Sequence, residues 1–172
     1  MSSVVLHSYS QEWPKLFLQV RQDLLHAFAP VLVSIEHIGS TSVPGLVAKP
    51  VIDVLLGASS LYDVESKIEA LDKLGYIYVS KYEQELPMRR YFVKSSVDSL
   101  RIHLHAVETG SRFWLEHLAF RDLLCSDGNL RAKYQSLKIQ LAQEHAQDKS
   151  AYSDAKGSFI QAALTTIKGD IV

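Results

Sequence analysis

The stretch His37–Leu56, HIGSTSVPGLVAKPVIDVLL, decides how this chain is read. It sets a Gly-Ser turn between two apolar runs, then places one carboxylate, Asp53, inside the second run. The run before the turn, VLVSIEHIG, is rich in β-branched residues and stops at Gly39. The run after it, PVIDVLLGA, stops at Gly57. Both patterns predict strands. The connecting STSVPGLVAK is too long for a hairpin turn and has room for one short helical turn.

On a strand, alternate residues share a face, so Val51, Asp53 and Leu55 fall on one side and Ile52, Val54 and Leu56 on the other. Both sides are apolar, as in a central strand covered twice. A carboxylate there must pair, bind a cation or open into a cleft, because burying it alone is costly. The turn before it complements that demand. Gly39 lets the chain bend and present backbone N–H groups, Ser40, Thr41 and Ser42 add hydroxyls, and Lys49 adds charge. Such a turn favours phosphate. An ordinary capped turn and a structurally paired aspartate are the competing readings.

A third segment bears on the same question. In Arg101-Ile102-His103-Leu104-His105 the period of two puts Arg101, His103 and His105 on one face. Two imidazoles so spaced can address one ion or one phosphate. Two solvated histidines on the polar side of a strand are the alternative.

Working outward, SYSQEWPKLFLQVRQDLLHAFAP predicts a helix with Ser10 as N-cap and Pro14 in its first turn. LYDVESKIEALDKLGY has helical spacing and a stop at Gly75. IYVSKYEQELPMRRYFVKS predicts one long or broken strand pair with an edge or turn at Pro87, and SLRIHLHAVE a strand. Helical spacing then takes over, in SRFWLEHLAFRDLLCS and in a long helix from about Leu130 towards Ile167. The order is α+β, a mixed sheet followed by a helical tail. Glu83 and Glu85 read as a solvated edge, Arg89 and Arg90 as suited to a phosphate or acidic partner or simply exposed after Pro87, and Phe113, Trp114 and Phe120 as helix packing. His117, Cys125 and His145 have no supporting constellation.

The bulk numbers set bounds. A chain of 172 residues suits one domain over 1–172. A net charge of −1 gives no overall basic field for nucleic acid or an anionic membrane. The single cysteine forms no intrachain disulfide and no thiolate cage. With no leader-like or spanning segment, a cytoplasmic location is the default expectation.

The IEHIGSTSVPGLVAKPVIDV block, the RIHLHAV strand, the FWLEHLAFRDLL helix and the later Tyr134…LK and Tyr152…AK…FI pattern together resemble the GrpB family, across essentially the whole chain. The resemblance implies a nucleotidyltransferase-like fold, in which a Gly-Ser turn precedes a strand bearing two carboxylates one residue apart, with a third on a later strand. Carried over, Gly39 and Ser40 match the turn and Asp53 the first carboxylate. Leu55 stands where the second belongs, and His103 or His105 where the third does. Paired carboxylates hold two cations about 3.5–4 Å apart in phosphoryl transfer. One Asp and two His instead suit one divalent cation, of the Zn, Mn, Fe or Ni kind rather than Mg.

Three functions fit. In the first, a nucleotidyltransferase-like enzyme binds a nucleotide or other phosphorylated small molecule. Gly39, Ser40, Thr41, Ser42 and Lys49 hold phosphate, Asp53, His103 and His105 hold the metal, and Asp53 and His105 carry the catalysis. In the second, the chain is a non-catalytic nucleotide- or anion-binding or regulatory module. In the third, it is a single-metal hydrolase. An exposed edge at EQELPMRRYF could pair with a second copy as a homo-oligomer.

Overall fold

The computed structural model describes residues 4–95 and 100–169. Helix α1 (Glu12–Phe28) leads into strand β1 (Ser34–Ile38), a 3-10 turn (Ser40–Ser42) and strand β2 (Val51–Ala58). Two short helices follow, α2 (Leu61–Glu65) and α3 (Ile68–Lys73), then strands β3 (Ile77–Tyr78), β4 (Arg89–Ser95) and β5 (Arg101–Glu108). Helices α4 (Arg112–Ser126), α5 (Gly128–Glu144), α6 (Lys149–Asp154) and α7 (Gly157–Gly169) complete the described chain. This is the expected class, a mixed sheet with flanking helices and a helical C-terminal segment.

The sheet order is β1-β2-β5-β4-β3. β2 and β5 run parallel, and every other neighbouring pair is antiparallel. Parallel pairing requires a crossover, which α2, α3, β3 and β4 supply. The register sets Asp53 level with His103 and Leu55 level with His105. With a side-chain period of two, Asp53, His103 and His105 therefore share one face of the sheet.

The opposite face is the main core. Trp13, Val20, Leu24 and Phe28 form one stripe of α1 and pack with Ile52, Val54, Leu56, Ile102 and Leu104. Each such burial contributes roughly 1.5–3 kcal/mol. The Asp53 face divides in two. Its far end, Leu55 and Val107, is sealed by Trp114 and Phe113 of α4, while its near end stays polar. Gly57 makes that seal possible, since a Cβ there would stand 2.7 Å from Cζ3 of Trp114.

Several elements differ from the sequence expectation. Ser10 is not the cap; Gln11 occupies that place without a side-chain bond, and Ser10 Oγ accepts from Glu12 N at 3.2 Å. The helix expected up to Gly75 is two helices. Ser66 Oγ donates to the Asp63 carbonyl at 2.7 Å, a local bond that competes with helix continuation. The long C-terminal helix is three, because Asp148 caps a fresh start by accepting from Ser150 N and Ala151 N. β4 lies between β5 and β3, and β3 pairs it only at Phe92 and Val93. Ser99, first residue of the expected strand SLRIHLHAVE, lies outside the described residues. Among the described residues no helix is long and apolar enough to cross a membrane.

Candidate functional site

The turn after β1 is built by its own side chains. Gly39 has φ 72°, where a glycine is favoured, and Ser42 Oγ donates to the Gly39 carbonyl at 2.6 Å. Thr41 is 1% exposed and donates to the Val51 carbonyl at 2.8 Å, so its oxygen accepts from His37 Nε2 at 3.0 Å. Burial pushes the His37 imidazole down to about 4, more than the nearby Asp53 charge can offset. Thr41 thus bolts the turn to β2 and Ser42 closes it. Ser40 is left at the cleft, hydrogen-bonded to Tyr134 of α5.

Asp53 completes the pit. Its Oδ1 lies 3.5 Å from His103 Nδ1 and 3.4 Å from His105 Nε2, and a Cβ on Gly39 would stand 2.5 Å from its Oδ2. The glycine is therefore required twice, for its backbone angle and for the carboxylate beside it. Burial alone would raise the Asp53 carboxyl, but hydrogen bonds from His103 and His105 outweigh it and hold the group well below the usual carboxylate range. Leu55 is fully buried with Ile38, Val107 and Trp114, so a second carboxylate there would sit unpaired in the core.

The ligand atoms of Asp53, His103 and His105 lie within 4.8 Å of one another. Two atoms each about 2.0–2.2 Å from one tetrahedral ion sit about 3.3–3.6 Å apart. The observed 3.4 and 3.5 Å match that spacing better than they match a good hydrogen bond. His103 and the carboxylate fit a divalent cation as they stand. His105 fits with one condition. Nη1 of Arg89 faces its Nδ1 at 3.2 Å, and a guanidinium only donates, so Nδ1 accepts and the ring proton sits on Nε2. Burial lowers the His105 pKa, which keeps that ring neutral. Its Nε2 is free to bind an ion only when the Arg89 contact is released.

The cleft has two lobes that share Ser40, Asp53, Ser153 and Lys156. The first, about 430 Å³, is walled by Phe120, Leu124, Tyr134 and Leu164 and carries His105, His117 and Arg121. The second, about 200 Å³, is basic, with Lys49, Lys138 and Lys156 around Tyr152. Lys49 and Lys156 lie 4.6 and 4.2 Å from the Tyr152 ring centroid. Lys138 is 2% exposed, with its Nζ donating to the Val47 carbonyl. Burial, then repulsion from neighbouring lysines, pushes Lys138 down to about 7. Lys156 is pushed down to about 8 by burial and by Lys49.

Of the residues expected from sequence, Gly39, Ser40, Lys49, Asp53, His103 and His105 come together here, whereas Thr41 and Ser42 are committed to the turn. Lys138, Lys156 and His117 were not expected at the site, and Arg89 was expected only as a contact for a phosphate or acidic partner. One signal was present: each of Tyr134 and Tyr152 is followed four residues later by a lysine, one helical turn on.

Comparison with known proteins adds the following. The family described as "GrpB protein" matches residues 3–166. The chain is 33% identical over 165 residues to the "Glutamate-rich protein GrpB" of Alkalihalophilus pseudofirmus, covering 94% of each. It is 35% identical over 160 residues to the "UPF0157 protein YqkA" of Bacillus subtilis, covering 93% of this chain and only 46% of that relative. The crystal structure of conserved protein GrpB from Enterococcus faecalis is similar at a TM-score of 0.84 and 32% identity, over 94% of this chain and 96% of that one. The Cid1 poly(U) polymerase with Mg 3'-dATP bound is similar in fold, at a TM-score of 0.58 and 12% identity, over 86% of this chain and 49% of that one.

Proposed function

Since the chain belongs to the GrpB family and has a nucleotidyltransferase-like fold, we propose that it binds a nucleotide or related phosphorylated small molecule and transfers its nucleotidyl group with one divalent cation. The observation that carries this reading is the convergence of Asp53, His103 and His105 beside the Gly39 turn. Asp53 and His103 would hold the cation, joined by His105 once its Nε2 is free. A divalent cation so held supplies Lewis-acid stabilisation of charge on the phosphoryl oxygens. Ser40, Lys49, Lys138 and Lys156 would neutralise the phosphates and fix their orientation. Asp53 and His105 are the residues assigned to catalysis.

A second reading draws on Leu55. Without the second carboxylate, a two-cation centre has no place to form, and a nucleotide- or anion-binding module would need only the turn and the lysines.

The deciding experiment uses tag-free protein, metal analysis and pyrophosphate release from the four ribonucleoside triphosphates. About one equivalent of transition metal, release that needs it, and loss of both in Asp53→Asn support transfer. Triphosphate-induced melting shifts without release support the module. Neither shift nor release sinks both.

A further inference from the structure

The first lobe holds an imidazole that the reading above leaves without a task. His117 lies on α4, and its Nδ1 is 2.8 Å from the carbonyl oxygen of Phe113, one turn earlier. A carbonyl only accepts, so the ring proton is on Nδ1 and the lone pair is on Nε2. The ring is stacked on Phe113 at 3.9 Å, which fixes its plane, and it lines the cavity shared with Asp53 and His105. With Nδ1 committed to the helix backbone, Nε2 is the ring nitrogen left to take a proton. This is the reverse of His105, whose Nδ1 accepts and whose Nε2 is protonated. One of these rings is set to donate and the other to accept. Burial lowers the His117 pKa, so the accepting form persists at neutral pH.

We propose that His117 is the proton acceptor for the attacking hydroxyl group of the second substrate, which would enter through the apolar lobe. This rests on nucleotidyl transfer as the reaction. The hydroxyl proton passes to Nε2 as its oxygen bonds to the α-phosphorus. The bond from that phosphorus to the bridging oxygen breaks, and pyrophosphate leaves with the electron pair. The imidazolium then returns its proton to water.

The test uses the full chain with Mn²⁺ and the four ribonucleoside triphosphates. His117→Asn keeps an N–H donor towards the Phe113 carbonyl but removes the base, and His117→Gln repeats the measurement should the first variant fail to fold. Expected are a loss of about 100-fold or more in pyrophosphate release and an unchanged triphosphate-induced melting shift. Long-range ¹H–¹⁵N spectra of the wild type should place the His117 proton on Nδ1. Release within about threefold of wild type, or a proton on Nε2, overturns the assignment. A wild type that releases no pyrophosphate removes the transferase reading and the acceptor role with it, whereas a proton on Nε2 in a wild type that does release pyrophosphate overturns His117 alone.

Discussion

Nη1 of Arg89 stands 3.2 Å from Nδ1 of His105, a cation-bearing donor where a metal-ligating histidine ordinarily meets a carboxylate or carbonyl. The usual partner accepts the second ring proton and so frees the other nitrogen to bind. Arg89 does the opposite, holding the proton on Nε2 against Oδ1 of Asp53. It is itself braced over the Tyr91 ring at 4.8 Å, so the contact is built in rather than incidental.

Arg89→Met should therefore raise affinity for a divalent cation, by about tenfold, where loss of an outer partner ordinarily lowers it 10–100-fold. Titration calorimetry with Mn²⁺ or Zn²⁺ reads the sign directly. A weaker cation site in the variant would show that Arg89 supports binding instead of opposing it.

Asp53→Asn should fold and should lose the cation. The carboxylate is held ionised by charge-assisted hydrogen bonds from His103 and His105, so the amide is expected to cost about 1.5–3 kcal/mol in urea unfolding. The sign follows from linkage. A depressed folded-state pKa gives stability that is fully present above the unfolded value near 4 and fades as pH falls below it. The wild type should lose more stability than the variant on acidification below about pH 4.

What the sequence made legible was one-dimensional. Alternation put His103 and His105 on the same side of their strand, and the apolar run around Asp53 marked its strand as central. The parallel register that sets Asp53 level with His103 depends on a crossover through all the elements between β2 and β5, which no local pattern encodes. Lys138 and Lys156 were missed for a related reason. Each lies in a helical stretch whose polar residues look solvated, and only tertiary packing turns them inward onto the Gly39 turn. Sequence alone does not show that the Thr41 hydroxyl is engaged, because its partners lie 10 residues on and four residues back.

Thr41→Val separates the bolt from the proposed phosphate site. The variant keeps the shape but strands two half-buried groups, His37 Nε2–H and the Val51 carbonyl, at up to about 1–3 kcal/mol each. Its urea midpoint should fall while pyrophosphate affinity, corrected for folded fraction, stays put. Ser40→Ala should do the reverse.

His37 adds a pH signature of its own. Its pKa is about 4 in the fold against an ordinary 6.5, so the unfolded chain binds the extra proton between those values. Stability from this ring is complete above about pH 6.5 and declines towards pH 4, at up to about 1.4 kcal/mol per pH unit. His105 and His117, also lowered by burial, act in the same direction. His37→Gln should therefore reduce the slope of unfolding free energy against pH by about one proton without abolishing it. An unchanged slope would mean that the ring is charged in the fold.

The lysine lobe gives the clearest ligand prediction. Lys138 sits near pKa 7 because it is buried beside Lys156 and Lys49, and a bound polyanion would oppose both causes. Pyrophosphate binding should then draw protons onto the lysines, most strongly at pH 7–8, where Lys138 and Lys156 are partly neutral in the free protein. Affinity should fall as pH rises through that range. The anion titrates there too, so the comparison must be with Lys138→Met, which deletes a buried charge but takes the donor from the Val47 carbonyl, so affinity is corrected for folded fraction. Calorimetry in two buffers of different ionisation enthalpy should show less proton uptake in the variant, with affinity lower by about tenfold, the usual scale of a charge-assisted phosphate contact. Equal uptake and equal affinity would leave Lys138 as a strut for the Val47 carbonyl, and phosphate would have to be held by Lys49, Lys156 and the turn alone.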